Sequence, residues 1–354
     1  MRLYGLGITC NNVNQGYLDG MRLIKDHGVR QPSRYGEVRA VDGPVMVVYN
    51  RPWQRVLFDA VRDCNPFFHF MEALWMLAGR NDVAFVAQYA KRMEEFSDDG
   101  VTLHGAYGYR WRRHYWLEGE YEVDQLPLLA DMLKADPTTR RAVLQMWDPV
   151  VDLLPRSDVK TPKDLPCNTQ IYFRTRWERA VDNLVLDMTV CNRSNDIVWG
   201  LFGANCVHMS MLHEYMSRMT GLQMGKYVQF TNNFHAYTKV YDPLMEKLMG
   251  VGYADPYQLA GWEHYQMVKD PKTWDVDLGT FMTHDGSRTT LYSNPFFSDV
   301  AEPLRRSWIY YKEKRLRDAI NALDSCMAGD WQAACLNWLD RRAYKPMLPQ
   351  GDKK

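Results

Sequence analysis

No run of apolar residues in this chain approaches the roughly 18 to 20 that a membrane-spanning helix needs. The opening MRLYGLGITCNN has no signal-peptide core. Neither sign of charge prevails, since 43 basic residues meet 43 acidic ones. The broad basic surface of a duplex-binding protein is therefore not expected, and any phosphate recognition has to be local. CxxC pairs are missing too. The seven cysteines, Cys10, Cys64, Cys167, Cys191, Cys206, Cys326 and Cys335, are odd in number and scattered. That argues against a disulfide framework or a zinc site and for a reducing, cytoplasmic setting. No internal repeat, low-complexity tract or Pro/Gly-rich linker marks a domain boundary. What the chain does have is aromatic bulk: 13% of residues, 12 of them Trp, which implies large cores or interfaces. With 354 residues, 46% apolar and 24% charged, it has the composition of an ordinary globular protein of one large or two modest domains.

The stretch GPVMVVYNRP (43–52) reads as a strand ended by proline. CNPFFHFMEALWMLAG (64–79) reads as a helix, with Asn65 to cap it, Pro66 in its first turn and Gly79 at its end. That helix is apolar nearly all round and should be buried. Glu72 inside it is anomalous, because a buried carboxylate is costly unless hydrogen-bonded or used; a narrow wet stripe is the plainer account. RRAVLQMWDP (140–149) reads as a buried strand entered by two arginines. NTQIYFRTRW and NLVLDMTVCNRSND read as the two strands of a hairpin. ANCVHMSMLHEYMSRMTG (204–221) carries apolar residues at 207, 211, 212, 215, 216 and 219, a helical spacing closed by Gly221. GKYVQFTNNFHAY (225–237) reads as a strand running into a loop, and helical text covers about 301–328 and 331–342. The class is α+β, with a mixed, largely antiparallel sheet and helices upon it.

In LPCNTQIYF (165–173) Cys167 follows a proline just ahead of a strand. A lone cysteine is more often a small buried filler than a nucleophile, so its company decides. Arginines gather at pointed places: Arg34 in PSRYGE, Arg140 and Arg141 side by side, and Arg193 in NRSND with the Ser194 hydroxyl next to it. An arginine fork matches phosphate oxygens in bidentate fashion. A cationic neighbourhood is also expected to lower the pKa of a nearby thiol and so activate it.

Together these residues form a resemblance. PCN at 166–168, NRSND at 192–196 with Gly200, Asn205 opening a helix, and FHAY at 234–237 resemble the thymidylate synthase family. HFMEALWML, GAYGYRWR and TTRRAVLQMW match its buried-glutamate helix, tyrosine loop and double arginine. The segments keep the family's order over roughly residues 30 to 240. The resemblance implies a thymidylate synthase-like fold over 1–300, its mixed twisted sheet serving as a dimer interface. Residues 301–354 would be a helical C-terminal extension packed on the same domain. It implies that Cys167 adds to C6 of a pyrimidine nucleoside monophosphate, so that C5 attacks the one-carbon unit of 5,10-methylenetetrahydrofolate. Cys167, Glu72, Tyr107 and Asn205 would be the catalytic set, Glu72 moving protons through water and Tyr107 supporting loss of the C5 proton. Arg34, Arg193 and Ser194 would hold the phosphate, and Arg140 and Arg141 would reach it from the other subunit of a homodimer. Asn168 and Asn205 would face the base, and His235 and Tyr237 the sugar hydroxyl. Glu72, Met93, Asp196 and Gly200 would lie on the folate side.

The departures from the family pattern point to a subclass. Synthases carry histidine where this chain has Asn168, and RSCD where it has RSND, the form found in phage deoxycytidylate hydroxymethylases. Tryptophans that cover the folate in synthases are replaced by Met93 and Phe96, and the closing tail is replaced by a long extension ending PMLPQGDKK. A site with less aromatic cover can admit water to the exocyclic methylene and give a hydroxymethyl in place of a methyl group. The preferred reading is hydroxymethylation, with a methylating synthase as the alternative. An asparagine at 205 can donate to uracil O4 and accept from N3–H, which favours dUMP. GLFGAN, however, holds one residue more than the family pattern between Gly200 and Asn205, so dCMP and CMP stay open. A catalytically idle member that only binds nucleotide or RNA is the reading from another class, and the intact residue set speaks against it.

Overall fold

The computed structural model describes residues 6–153, 161–248, 253–284 and 290–343. The chain forms two compact units, one of Met1–Leu57 with Phe68–Asp255, the other of Phe58–Phe67 with Pro256–Lys354. The tail PMLPQGDKK lies outside the described residues.

The strands are β1 Leu6–Cys10, β2 Gly28–Ser33, β3 Gly36–Val41, β4 Val45–Tyr49, β5 Trp116–Leu117, β6 Tyr121–Glu122, β7 Val143–Gln145, β8 Asn168–Glu178, β9 Asn183–Asn192, β10 Asn195–Asp196, β11 Gln223–Thr231 and β12 Phe234–Tyr237. Six of them form one sheet in the order β1-β4-β11-β9-β8-β7, and four form a second in the order β10-β12-β3-β2. In the large sheet β1 runs parallel to β4 and β11 parallel to β9, while the β4–β11, β8–β9 and β7–β8 pairs are antiparallel. The α+β class with a mixed sheet is thus as the sequence indicates.

Alternation in β4 turns Val45, Val47 and Tyr49 into the core and leaves Met46 outside. The Asn205–Thr220 helix is buried from Cys206 to Ser217, so it runs through the interior instead of over the surface. Two of its polar residues are paired inside: Glu214 makes a buried ion pair with Arg55, and His213 Nε2 lies 2.6 Å from the Leu186 carbonyl. It stops at Gly221 in the left-handed region, with φ of 77°.

Three segments differ from the sequence reading. The expected strand at 140–149 contracts to the three residues of β7 at the sheet edge, because Asp148 caps a turn that starts at once behind it. FHAY is not a loop but β12, paired with β10 and β3 in the second sheet. The helical text of 301–328 is broken into Glu302–Lys312 and Leu316–Ala322, since Lys314 takes a φ of 63° that no helix continues.

The second unit is built on aromatic contacts. Trp274 packs on Phe297 at 4.8 Å between centroids and Phe67 on Trp308 at 5.4 Å, and Arg341 and Arg342 both reach Asp63 at 2.9 Å. No helix among the described residues is long and apolar enough to cross a membrane.

Candidate active site

Cys167 is the last residue before β8, and Arg193 fixes the loop that presents it. The Arg193 N–H donates to the Cys167 carbonyl at 2.9 Å, its Nε to the Pro166 carbonyl at 2.9 Å and its Nη2 to the Leu165 carbonyl at 3.1 Å. The same Nη2 stands 3.9 Å from the Cys167 Sγ. Arg34, exposed in the β2–β3 turn, donates to the Lys163 carbonyl at 3.4 Å. The thiol pKa runs opposite to the sequence expectation. Burial pushes it up, with Asp164 and Asp196 adding to that, and the Arg193 and Arg34 cations oppose it without prevailing.

Tyr107 begins the Tyr107–Arg112 helix, with its hydroxyl near the backbone of Cys167 and Asn168. Burial holds its pKa well above that of an ordinary phenol. The next residue must be glycine. A Cβ on Gly108 would stand 1.8 Å from the carbonyl oxygen of Met76, so the tyrosine helix lies directly against the Pro66–Leu77 helix that carries Glu72. Glu72 is buried, and its Oε2 lies 3.0 Å from Nε2 of His208. Sequence reasoning missed His208. The available signal was a histidine one turn after Asn205 in a helix that is otherwise mostly apolar on that side. Asp164 is a second carboxyl nearby, raised in pKa by burial and by the Glu72 charge although it accepts the Gly105 N–H at 3.0 Å.

The parallel β10–β12 ladder sets NRSND beside FHAY, with Asp196 opposite His235. Ser194 Oγ lies 3.5 Å from His235 Nδ1, and the Tyr237 ring stands edge-on to the His235 ring at 5.5 Å. Asp196 caps the following turn, accepting the N–H groups of Val198 at 2.9 Å and Trp199 at 2.6 Å. Burial still raises its pKa, opposed by those bonds and by His235.

GLFGAN runs through a π-helical stretch, Ile197–Ala204, in which Gly203 leaves the helical region with φ −102° and ψ −117°. Asn205 follows it and opens the next helix, where its Nδ2 donates to Asn195 Oδ1 at 3.1 Å. Gly200 makes room for that pair, since a Cβ there would fall 2.4 Å from Asn195 Oδ1. Asn168, Asn192 and Thr231 are register partners across β8, β9 and β11, all buried on one face. Asn168 Oδ1, Asn192 Nδ2, Thr231 Oγ1 and Asn195 Nδ2 are buried polar atoms without a hydrogen-bond partner among the described residues. Atoms of this kind are nearly always satisfied by water or ligand.

Cys167, Asn168, Tyr107, Arg193, Ser194, Asp196, Gly200, Asn205, His235 and Tyr237 thus fall on segments tied to one another by the contacts above. Met93 sits half-buried in the turn Lys91–Phe96. Ser97, just after that turn, takes the Lys163 ammonium on its carbonyl at 2.7 Å, which ties it to the loop entering Cys167. Arg140 and Arg141 are exposed ahead of the edge strand β7, and neither side chain makes an ion pair or hydrogen bond among the described residues.

The thymidylate synthase family model matches residues 15–291. Over 347 residues, 95% of this chain and 94% of the relative, the chain is 42% identical to a deoxyuridylate hydroxymethyltransferase of Pseudomonas phage M6. It is 39% identical over 236 residues to a protein of that name from Bacillus phage SP01, covering 64% of this chain and 57% of the relative. A third, from Delftia phage PhiW-14, is 30% identical over 193 residues, covering 53% and 50%. The first alignment takes in most of the C-terminal segment beyond residue 291, where the family model stops.

Proposed function

The chain belongs to the thymidylate synthase family and is a one-carbon transferase acting at C5 of a pyrimidine; from that premise we propose that it hydroxymethylates dUMP with 5,10-methylenetetrahydrofolate. The observation that carries this reading is the row of buried amide and hydroxyl atoms left open beside Cys167. A site that must keep water out has no use for such atoms, whereas one that delivers water to a carbon does. The name of the near full-length relative from Pseudomonas phage M6 agrees.

In this reading the Cys167 Sγ adds to C6, with Arg193 Nη2 close enough to stabilise the developing thiolate. Tyr107 keeps its own proton. Its O–H, close to Cys167, would hold the water that takes the C5 proton. Arg34, Arg193 and Ser194 bind the phosphate, and His235 and Tyr237 the sugar hydroxyl. Asn205 reads the base, and the bond from its Nδ2 to Asn195 fixes which end of the amide faces N3–H, the arrangement uracil needs. Folate supplies the one-carbon unit. Glu72, Asp196, Gly200 and Met93 would face it, and the exposed ring of Trp199 beside Asp196 offers a flat surface for the pterin.

A homodimer fits the outer face of the large sheet. There Met46 pairs in register with Phe230, and Val143 with Tyr172, all of them exposed. Pairing across that face would bring Arg140 and Arg141 to the phosphate of the other subunit. The cysteines, all unpaired, suit a cytoplasmic setting.

The test is a product assay by mass spectrometry with methylenetetrahydrofolate and, separately, dUMP, dCMP and CMP. A gain of CH2O on dUMP is expected. A gain of CH2 with dihydrofolate formed would make the enzyme a methylating synthase, and product from another nucleotide would overturn the base or sugar assignment.

A further inference from the structure

His208 has no part in the roles set out above, yet it is the basic group that pairs with the Glu72 carboxylate among the described residues. It lies one turn into the Asn205–Thr220 helix, 2% exposed, with Nε2 3.0 Å from Glu72 Oε2. That approach is off the line of an ideal hydrogen bond, and its Nδ1 is buried with no partner among the described residues. His213 in the same helix also has a buried Nδ1 without a partner among the described residues, but its Nε2 is bonded to a backbone carbonyl. His213 sits fully buried against the Leu186 carbonyl, and burial lowers its pKa to about 4, so it stays neutral. The buried glutamate of that helix, Glu214, is matched by an arginine. Glu72 is given a histidine instead, and no guanidinium or ammonium group pairs with it among the described residues. A buried carboxylate held this loosely is costly as architecture and useful as a proton acceptor.

We infer that His208 is a positioning residue for Glu72 in the hydration half of the reaction, holding the carboxylate where it takes a proton from the attacking water. The inference rests on the hydroxymethylase reading above. In that step a water O–H bond breaks and its proton passes to Glu72, while the water oxygen bonds to the exocyclic methylene carbon attached to C5. The displaced π pair moves onto the C5–C4–O enolate. Its return forms the C5=C6 bond and expels the Cys167 thiolate from C6. Nothing is oxidised or reduced, and no further reactant is needed.

The experiment compares wild type, His208→Leu and His208→Gln with dUMP tritiated at C5 and methylenetetrahydrofolate. Tritium release reports one-carbon transfer, and the hydroxymethyl product reports hydration. For His208→Leu the product formed per tritium released should fall by about tenfold or more, while tritium release and KM for dUMP stay within about twofold of wild type. His208→Gln, which restores an N–H donor of similar reach, should recover the ratio to within about threefold. An unchanged ratio in His208→Leu overturns the role of His208, and so does a glutamine variant as uncoupled as the leucine one. Should His208→Leu fail to fold, His208→Asn, too short to reach Glu72, replaces it; equal ratios for Asn and Gln would overturn the inference. A wild-type product carrying CH2 would overturn the hydroxymethylase reading itself, before any variant is compared.

Discussion

The two ends of the β8–β9 hairpin treat buried polar side chains in opposite ways. Toward the turn, Asp187 is saturated: it accepts Arg176 Nε at 2.8 Å, Arg176 Nη2 at 3.2 Å and the Lys226 N–H at 2.8 Å. On the same strands next to Cys167, Asn168 and Asn192 each keep a buried atom with no partner among the described residues, and so does Thr231 on the adjoining β11. Both ends are buried and both are polar, so burial and polarity do not mark the site. What distinguishes the Cys167 end is that its unpartnered polar atoms lie on register-paired residues of three adjacent strands, where a ligand or water can use them together.

The largest effect that sharpens this contrast is at the open end. Cys167→Ala should end C5 tritium exchange, a loss on the order of 10⁴-fold or more, while dUMP binding measured by calorimetry survives. Exchange at the wild-type rate would place the nucleophile elsewhere. At the saturated end, Asp187→Ala should leave turnover per folded molecule unchanged and cost about 2–3 kcal/mol of stability in urea denaturation, because Arg176 loses its partner. Burial alone would raise the Asp187 pKa, but the Arg176 bonds and the Lys226 N–H outweigh it and hold the carboxyl below the usual range. The stabilisation it provides is therefore complete above the unfolded carboxylate pKa of about 4 and is lost as pH falls from there through the lower folded value. Asp187→Asn should remove that part of the acid sensitivity, and an unaltered stability–pH curve would show that Asp187 contributes none of it.

An effect of about tenfold is expected where the base is read. Asn205→Asp should move the ratio of kcat/KM for dUMP over dCMP toward dCMP by about that factor or more, since a carboxylate accepts from the cytosine amino group and cannot donate to O4. Unchanged preference would mean that another residue reads the base.

Much of the contrast was legible in the sequence, but unevenly. Helical spacing from Val207 to Met219 and Gly221 behind it sufficed for the buried helix, because period and stop signal are local. The hairpin was legible for the same reason. GLFGAN forms a π-helical stretch that its sequence does not announce. The thiol pKa was read in the wrong direction. Arg193 and Arg34 are visible in a sequence, whereas the burial that outweighs them depends on what packs over Cys167. His208 was missed because its partner, Glu72, is 136 positions away in the chain, and nothing local distinguishes it from His213. The open atoms of Asn168 and Thr231 are likewise properties of three strands in register, not of any one segment.

The smallest effects break the comparison most directly, because their signs should differ. Thr175, toward the hairpin turn, donates its hydroxyl to the Pro137 carbonyl at 2.6 Å. Thr175→Val should cost about 1 kcal/mol, the bond lost and the carbonyl left short of a partner. Thr231 carries a fully buried hydroxyl with no partner among the described residues. Thr231→Val replaces it with a methyl group of similar shape and should stabilise the empty protein by about 0.5–1 kcal/mol, while lowering kcat for hydroxymethylation a fewfold by removing one of the row's contacts to water. Chemical denaturation of the two variants in parallel decides the matter. If Thr231→Val destabilises the empty enzyme as much as Thr175→Val does, the hydroxyl is already spent on a structural water, and the open end of the hairpin is built like the closed one.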